Sequence, residues 1–441
     1  MPSLFPDSHT EDSAKFLSGI KHFNFLNRFN KGLVFGNYRI TVKRSMQNAI
    51  IVGGIGTNKT TSYIVPNLMK LRNGSIYLLD PSQELFDLTS RHLSKFFKIY
   101  CINLGDVSKS HYWNSLEKAT TKDDMQMIAD AIVSAANPIE TGDTKFWNDG
   151  AKSLITILLY SVLKQPKNKN LHYIYTLLNR INSHDNEALT KELSISLDAD
   201  SWLEWKAIIS QPEKILGSQI ATAKVALAPF SSAVLKEISS QSTIDFSTFR
   251  KKRSIVYICV PEHRLKEYGL YLSLLFREIF ETLMEMPEKR DLVQYLMLEE
   301  GGNIYVPKLA NYITVLRKRK ASVSLILQSF QQLQALYGTD SQTIIDNAVN
   351  HLYFPGLSLK TCQEISQKIG NKLSNAPSKY FPTNKKNSLA KSPLISPESI
   401  RTLKNGRGLF LSGNMPAKIL WLTPWFKRWG MRFKLSLTRK K

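Results

Sequence analysis

The chain is 441 residues long, 43% hydrophobic and 22% charged, proportions that suit folded domains in water and exclude a disordered tail. Its 59 Lys and Arg against 36 Asp and Glu give a net charge of +23, an excess that favours polyanions or an anionic bilayer as partners. Cys101, Cys259 and Cys362 stand far apart, and no Cys or His pair has zinc spacing, so the three are read as core thiols in a reducing cytoplasm.

The first residues lack the apolar core of a secretory signal, and the longest strongly apolar run, Ser153 to Leu163, is too short to cross a bilayer. Residues up to about 30 are polar with two aromatic clusters and are expected to form a loosely docked arm. Gly32 to Thr41 reads as a hairpin strand. The stretch Ile50 to Leu71, IIVGGIGTNKTTSYIVPNLMKL, follows: an apolar run ending in Val52, a Gly-rich turn, and a segment with helical spacing opened by Lys59-Thr60-Thr61. Backbone N–H groups converge at such a helix start and make an anion site.

Against the pattern G-x-x-x-x-G-K-[ST], the stretch supplies Gly53, Gly54, Ile55, Gly56, Thr57, Asn58, Lys59 and Thr60, with Asn58 in the place of the second glycine. In a loop of that kind the amides wrap phosphates, Lys reaches the β and γ oxygens, and the Thr60 hydroxyl holds Mg²⁺. The bland alternative is a strand–turn–helix corner with glycines kept for packing. Asn tolerates a left-handed backbone, so Asn58 is expected there at a strain of about 1–2 kcal/mol at most. Pro66, inside the helical pattern, is expected to kink it or expose a carbonyl.

Ser75 to Leu79 reads as a second strand ending in Asp80-Pro81-Ser82-Gln83-Glu84, then a helix to about Ser94 and a third strand near Lys98 to Leu104. That alternation opens a parallel α/β sheet. From Lys122 to about Ser240 the period becomes helical, with helices expected over Met125 to Ala136, Phe146 to Leu163, Leu171 to Ile181, Glu187 to Leu193, and Ile220 to Ile238 interrupted at Pro229. Strands resume at Ser254 to Val260, Gln294 to Leu298 and Ser322 to Gln328, with a long amphipathic helix over Glu267 to Met284 and a shorter one over Phe330 to Leu336. His351 to Gly356 and Thr361 to Ile369 continue the alternation. Asn371 to Ser392 is rich in Ser, Asn, Pro and Lys and is expected to be a loop. Gly408 to Ser412 and Ala417 to Trp421 read as the last two strands.

A phosphate-loop enzyme also needs a strand ending in carboxylates. Tyr295-Leu296-Met297-Leu298-Glu299-Glu300 is the candidate, although two Glu at a strand end can equally well just meet solvent. At the C-terminus, Trp421, Trp425, Trp429 and Phe433 recur every fourth residue among Lys427, Arg428, Arg432, Lys434, Arg439, Lys440 and Lys441. Trp425 and Trp429 are read as an interfacial, basic amphipathic segment, and residues 431 to 437, which alternate in polarity, as a final strand.

In order along the chain, TTSYIVPNLMK, SIYLLDPSQELFDLT, TKFWNDGAKSLI, LEEGGNIYVP, TVLRKRKASVSLILQSFQQLQALYG, NAVNHLYFPG and GRGLFLSGNMPAKI resemble the sequence blocks of the type IV secretion coupling proteins, the TraG/TraD-like ATPases of conjugation. The likeness covers roughly residues 32 to 421. It implies a RecA-like P-loop NTPase core of α/β class, with a mostly parallel sheet and an inserted all-α domain. Domains are expected at 1–31 (arm), 32–118 (first part of the nucleotide-binding domain), 119–243 (all-α, cargo recognition by the resemblance), 244–424 (second part) and 425–441 (basic aromatic tail).

The resemblance also implies ATP and Mg²⁺ as cofactors. Gly53, Gly54, Gly56, Thr57, Asn58, Lys59, Thr60 and Thr61 would bind nucleotide, with Thr60 and Glu299 on the metal. Glu300 would orient water, Gln328 would be a polar sensor, and Arg317 or Arg319 would reach a neighbouring subunit's phosphate, unless the LRKRK run is merely solvated. Asp80 and Glu84 are weaker candidates that fix their own loop. The implied function is ATP-driven recruitment and movement of DNA with its relaxase, or of protein cargo, to a type IV secretion channel. The alternative is a nucleotide-binding receptor of the same family with little or no hydrolysis. A homo-hexamer is implied, and relatives usually begin with membrane-spanning helices. With no such helix in view here, peripheral contact at the cytoplasmic face of a bacterial inner membrane is expected.

Overall fold

A computed structural model describes residues 13–18, 25–139, 142–181, 186–375 and 389–437. The chain forms two compact units, one made of Met1–Arg72, Ser324–Phe330 and Asp346–Lys441, the other of Asn73–Val323 and Gln331–Ile345.

In the first unit the strand Ala49–Val52 is fully buried, as an all-apolar run must be when both sheet faces are covered. It lies in parallel between Asn350–Tyr353 and the end of Ala321–Leu327, with Val52 opposite both Tyr353 and Leu327. Arg407–Ser412 adds antiparallel to Asn350–Tyr353 and is joined by a hairpin to Met415–Trp421. Buried Asn350 stitches this sheet: its Nδ2 donates to the carbonyls of Arg44 and Asn48, and its Oδ1 accepts from Ser412 Oγ.

The expected hairpin near residue 32 is a two-residue ribbon, Val34–Phe35 against Tyr38–Arg39. Its turn uses Gly36 at φ 58°, and a Cβ there would lie 2.4 Å from the Trp421 carbonyl oxygen. Phe35 packs on Tyr63 and Phe410, and Asn67 clamps the ribbon backbone at Val34.

In the second unit four parallel strands lie side by side in the order Val293–Leu298, Gly74–Asp80, Ser254–Cys259, Lys98–Asn103. Between the adjacent strands Lys98–Asn103 and Ser254–Cys259 the chain runs through helices Lys122–Ala136, Gly142–Ser161, Leu171–Arg180, Asn186–Ser196, Ala199–Ile209, Glu213–Leu227 and Ala233–Ile238. Thr121 and Asp124 form a reciprocal capping box at the first of them. Gly150 lets two of these helices touch, because a Cβ there would sit 2.4 Å from the Gln219 side chain.

Three expectations are corrected. Residues 431–437 do not form a final strand: Trp429–Ser436 is a helix, since Met431 and Leu435, four apart, are the pair that is buried. The helix expected from Ile220 starts at Glu213, and Ala199–Ile209 is a further helix. Only Ser201, Trp205 and Ile208 of it are buried while Leu203 is exposed, so its apolar residues mark no single face. The stretch expected as a loop at 371–392 carries an antiparallel ribbon, Asn371–Asn375 against Leu389–Pro393, and its middle lies outside the described residues. Among the described residues no helix is long and apolar enough to cross a membrane.

Candidate functional site

The phosphate-loop sequence sits at the carboxyl end of Ala49–Val52 in the first unit. Gly53 N donates to the Leu327 carbonyl, which carries the parallel ladder one step past the strand. Gly53 has no room for a side chain: a Cβ would be 2.7 Å from Phe354 Cβ and 2.8 Å from Thr57 Oγ1. Gly56 has φ 74°, and Asn58 has φ 65°, the left-handed conformation expected of it. Thr57 Oγ1 donates to the Gly54 carbonyl, which holds the loop in a tight curl. Among the described residues the amides of Gly54, Ile55, Gly56 and Thr57 make no hydrogen bond to the protein. A concave run of free N–H groups with glycine at the points of closest approach is what a polyphosphate requires, so these residues fit a nucleotide phosphate.

Lys59 is buried, and its Nζ donates to the carbonyls of Gly53 at 2.6 Å and Gly54 at 3.0 Å. Thr60–Ile64 is wound as a π-helix and Val65–Lys70 as an α-helix, with buried Pro66 at the start of the latter. Pro66 has no N–H to give to the Ser62 carbonyl, and the widened turn before it absorbs that loss. The expected kink is therefore a change of helix pitch. Thr60 and Thr61 open this helix, and Thr61 Oγ1 donates back to the Asn58 carbonyl at 3.3 Å.

Gln328 leaves its strand one residue after Leu327, the partner of Val52, so it stands beside Gly53 at the same sheet edge. Phe354 and Gly356 were not singled out from the sequence as site residues. Phe354 N donates to the Val52 carbonyl and its ring walls the loop, while Gly356, at φ 79°, faces Gly54. The FPG turn after an apolar strand was the available signal.

In the second unit Glu299 and Glu300 follow directly on strand Val293–Leu298, and Asp80 ends the neighbouring parallel strand, with Leu79 opposite Leu298. Carboxylates from two adjacent strands thus leave one sheet edge. Glu300 takes φ 54° and accepts from Asn303 Nδ2 at 3.2 Å, which turns the chain sharply after the strand.

Asp80 is buried, and its Oδ2 accepts from Phe86 N at 2.8 Å, fixing the start of helix Glu84–Leu93. Its Oδ1 has no hydrogen-bond partner among the described residues. Burial, only partly offset by backbone N–H groups, pushes its pKa up to about 6. Cys259 pairs with both Asp80 and Asn103 in the ladder, and its thiol lies 3.8 Å from that of Cys101. Asn103, Gln83 and Cys259 line a cavity of about 280 Å³ at this edge. Asn103 and Gln83 were not identified from the sequence.

Arg317 and Arg319 lie on the turn Leu316–Arg319. The Lys320 carbonyl accepts from Gln294 N, so this turn adjoins the amino end of strand Val293–Leu298, whereas Glu299 and Glu300 leave its carboxyl end, roughly 17 Å away at the rise of a strand. The Arg319 carbonyl accepts from Arg250 Nη1, and the Arg317 side chain is exposed.

Residues 14–440 match the model of a family described as "Type IV secretory system Conjugative DNA transfer". The chain is 23% identical over 440 residues to Protein VirD4 of Agrobacterium fabrum and to Protein VirD4 of Rhizobium rhizogenes. The match covers 91% of this chain and 63% of each relative, so the chain spans less than two-thirds of their length. Its fold is similar to that of the plasmid coupling protein TrwB in complex with ADP and Mg²⁺, at TM-score 0.75 and 16% identity over 93% of this chain and 94% of that one. The unbound form of the bacterial conjugative coupling protein TrwBdeltaN70 gives TM-score 0.72 at 15% identity, over 90% of this chain and 89% of that one. The α/β, RecA-like P-loop fold expected from the sequence is the fold observed.

Proposed function

The chain belongs to the type IV secretory system conjugative DNA transfer family, and from that premise we propose that it is an ATP-driven coupling protein of a type IV secretion channel. Its cargo is DNA with an attached relaxase, or a protein effector. The observation that carries this reading is the loop at Gly53 to Thr60, where the free amides of Gly54 to Thr57, the left-handed Asn58 and the closed-up Gly53 fit a polyphosphate.

On this reading Gly53 to Thr61 hold the phosphates, with Lys59 as the point charge and Thr60 and Glu299 toward Mg²⁺. The bound nucleotide supplies a transferable phosphoryl group. Glu300 orients the attacking water and Gln328 reports on the loop from the next strand. The placement of Arg317 and Arg319 at the opposite end of the strand from Glu299 supports service to a neighbouring copy in a homo-hexamer rather than to their own acids. The helices at 119–243 would receive cargo, and the protein would work at the cytoplasmic face of a bacterial inner membrane, held there peripherally.

A second reading, a receptor that binds nucleotide without turning it over, is favoured by Asn58 in the place of the second glycine and by the hold of two carbonyls on Lys59. ATP turnover with and without single-stranded DNA separates the two. Stimulated turnover lost in Lys59→Ala and Glu300→Gln supports the motor. Binding of ADP with no turnover under any DNA condition leaves the receptor.

A further inference from the structure

The positive charge of the chain is concentrated in one unit. Met1–Arg72, Ser324–Phe330 and Asp346–Lys441 together hold 28 Lys and Arg against 6 Asp and Glu, while the other unit holds 31 against 30. No acid occurs between residues 13 and 72, nor between 399 and 441. Any surface that these two segments build together is therefore positive without internal cancellation.

The two segments do meet. The pKa of Lys70 is lowered by its partial burial and then by the charges of Lys434, Arg39, Arg428 and Arg72. The guanidiniums are fixed by neutral oxygens: Arg39 on the Gly32 and Lys31 carbonyls, Arg72 on those of Leu68 and Met69, Arg428 on those of Thr423 and Gly36. The carbonyls that hold these cations in place carry no formal charge of their own.

The helix Trp429–Ser436, which carries Lys434, has two opposite apolar rows. Met431 and Leu435 are 7% and 0% exposed and seat it on the unit. Trp429, Phe433 and Leu437, at spacing i, i+4 and i+8, face outward at 80%, 51% and 67% exposure. A helix that only covered the sheet would need the inner row alone. Trp421 and Phe426 are exposed nearby in the chain, and Lys427, Arg432 and Lys434 stand exposed among these side chains.

We propose that this face is a membrane-docking surface, in which the Trp429, Phe433 and Leu437 row enters the headgroup region of a bilayer carrying anionic lipid while Lys70, Lys427, Arg432 and Lys434 lie over its charges. An aromatic and aliphatic row flanked by cations is the pattern of an interfacial helix. Single-stranded nucleic acid fits less well. The rings of Trp429 and Phe433 stack on each other, centroids 5.7 Å apart and planes 12° apart, so neither offers two open faces to a base, and Leu437 offers none. The surface deepens the peripheral placement proposed above and depends on no part of the nucleotide chemistry.

The test is flotation of the full chain with phosphatidylcholine vesicles, with and without phosphatidylglycerol. The expected result is binding only to the anionic vesicles, reduced at least about tenfold in Trp429→Ala/Phe433→Ala and about tenfold in Lys427→Gln/Lys434→Gln. Brominated anionic lipid should quench the tryptophan emission of the wild type more than that of Trp429→Phe. Lys59→Ala should float like the wild type, so a failed ATPase reading leaves this result standing. Unaltered flotation of Trp429→Ala/Phe433→Ala, in protein that keeps its cooperative melting, overturns the proposal. So does loss of oligonucleotide binding in that variant with vesicle binding retained, which would mark a nucleic-acid surface.

Discussion

Lys59 Nζ donates to the Gly53 carbonyl at 2.6 Å, so the lysine of the phosphate loop is anchored on the first glycine of that loop. With the Gly54 carbonyl at 3.0 Å it has two backbone acceptors, and a phosphate has to displace them to take the ammonium. The same contact curls the loop around the free amides.

Lys59→Ala is therefore expected to abolish detectable ATP turnover, a fall of at least about 100-fold, while the apo protein melts within a few degrees of the wild type. Turnover in a coupled phosphate-release assay checks the first part and calorimetry the second. Residual turnover within about threefold of wild type would remove Lys59 from the site.

Asn58 occupies a left-handed backbone at φ 65°. Asn58→Gly should leave stability unchanged or raise it by up to about 1 kcal/mol, with ADP affinity retained. Asn58→Val, β-branched at the same φ, should cost about 1–2 kcal/mol and weaken ADP binding. Equal behaviour of the two variants would show that the loop is not held in this conformation. ADP-dependent shifts in melting temperature measure it.

Asn67 meets Val34 twice, accepting from its N–H at 2.8 Å and donating to its carbonyl at 3.1 Å, as an added strand residue would. Asn67→Ala strands both buried groups and should cost about 2–3 kcal/mol, with the ribbon at Val34–Arg39 losing hydrogen-exchange protection first. Uniform loss of protection across the unit would argue against a local clamp.

Two buried groups give opposite pH dependences, one in each unit. Asp80 has its pKa raised to about 6 by burial, so the folded state favours the protonated form. Its penalty is full above pH 6, about 3 kcal/mol, and disappears as the pH falls toward the ordinary carboxylate value. Asp80→Asn should be more stable than wild type at pH 8 and indistinguishable from it near pH 4. Burial lowers the pKa of His351 to about 4, aided by Lys368. That group loses about 3 kcal/mol as the pH falls from about 6.5 to 4, and His351→Gln should abolish the loss. Denaturant melts of each variant at several pH values separate the two, and parallel profiles for wild type and variant would refute the assignment.

Much of the site was legible because it is local. An apolar run, a Gly and Asn turn and a Lys-Thr-Thr start are short-range instructions, set by backbone sterics over a few residues. The strand end at Glu299 and Glu300 was legible for the same reason, and the left-handed Asn58 followed from its own side chain. The helix Ala199–Ile209 was not, because its apolar residues fall on several faces and only the fold decides which are buried.

The sequence by itself determined the strands of the central sheet, the loop with its lysine, and the excess of cations, since each depends on residue type and near neighbours. Only the tertiary structure decided that Asn67 completes a ribbon 33 residues away, that Phe354 walls the loop, and that Trp429 and Phe433 face out while Met431 and Leu435 face in. It likewise gathered nearly all the net charge into one unit. Those outcomes depend on which distant segments share a core, and burial is settled by the whole chain at once.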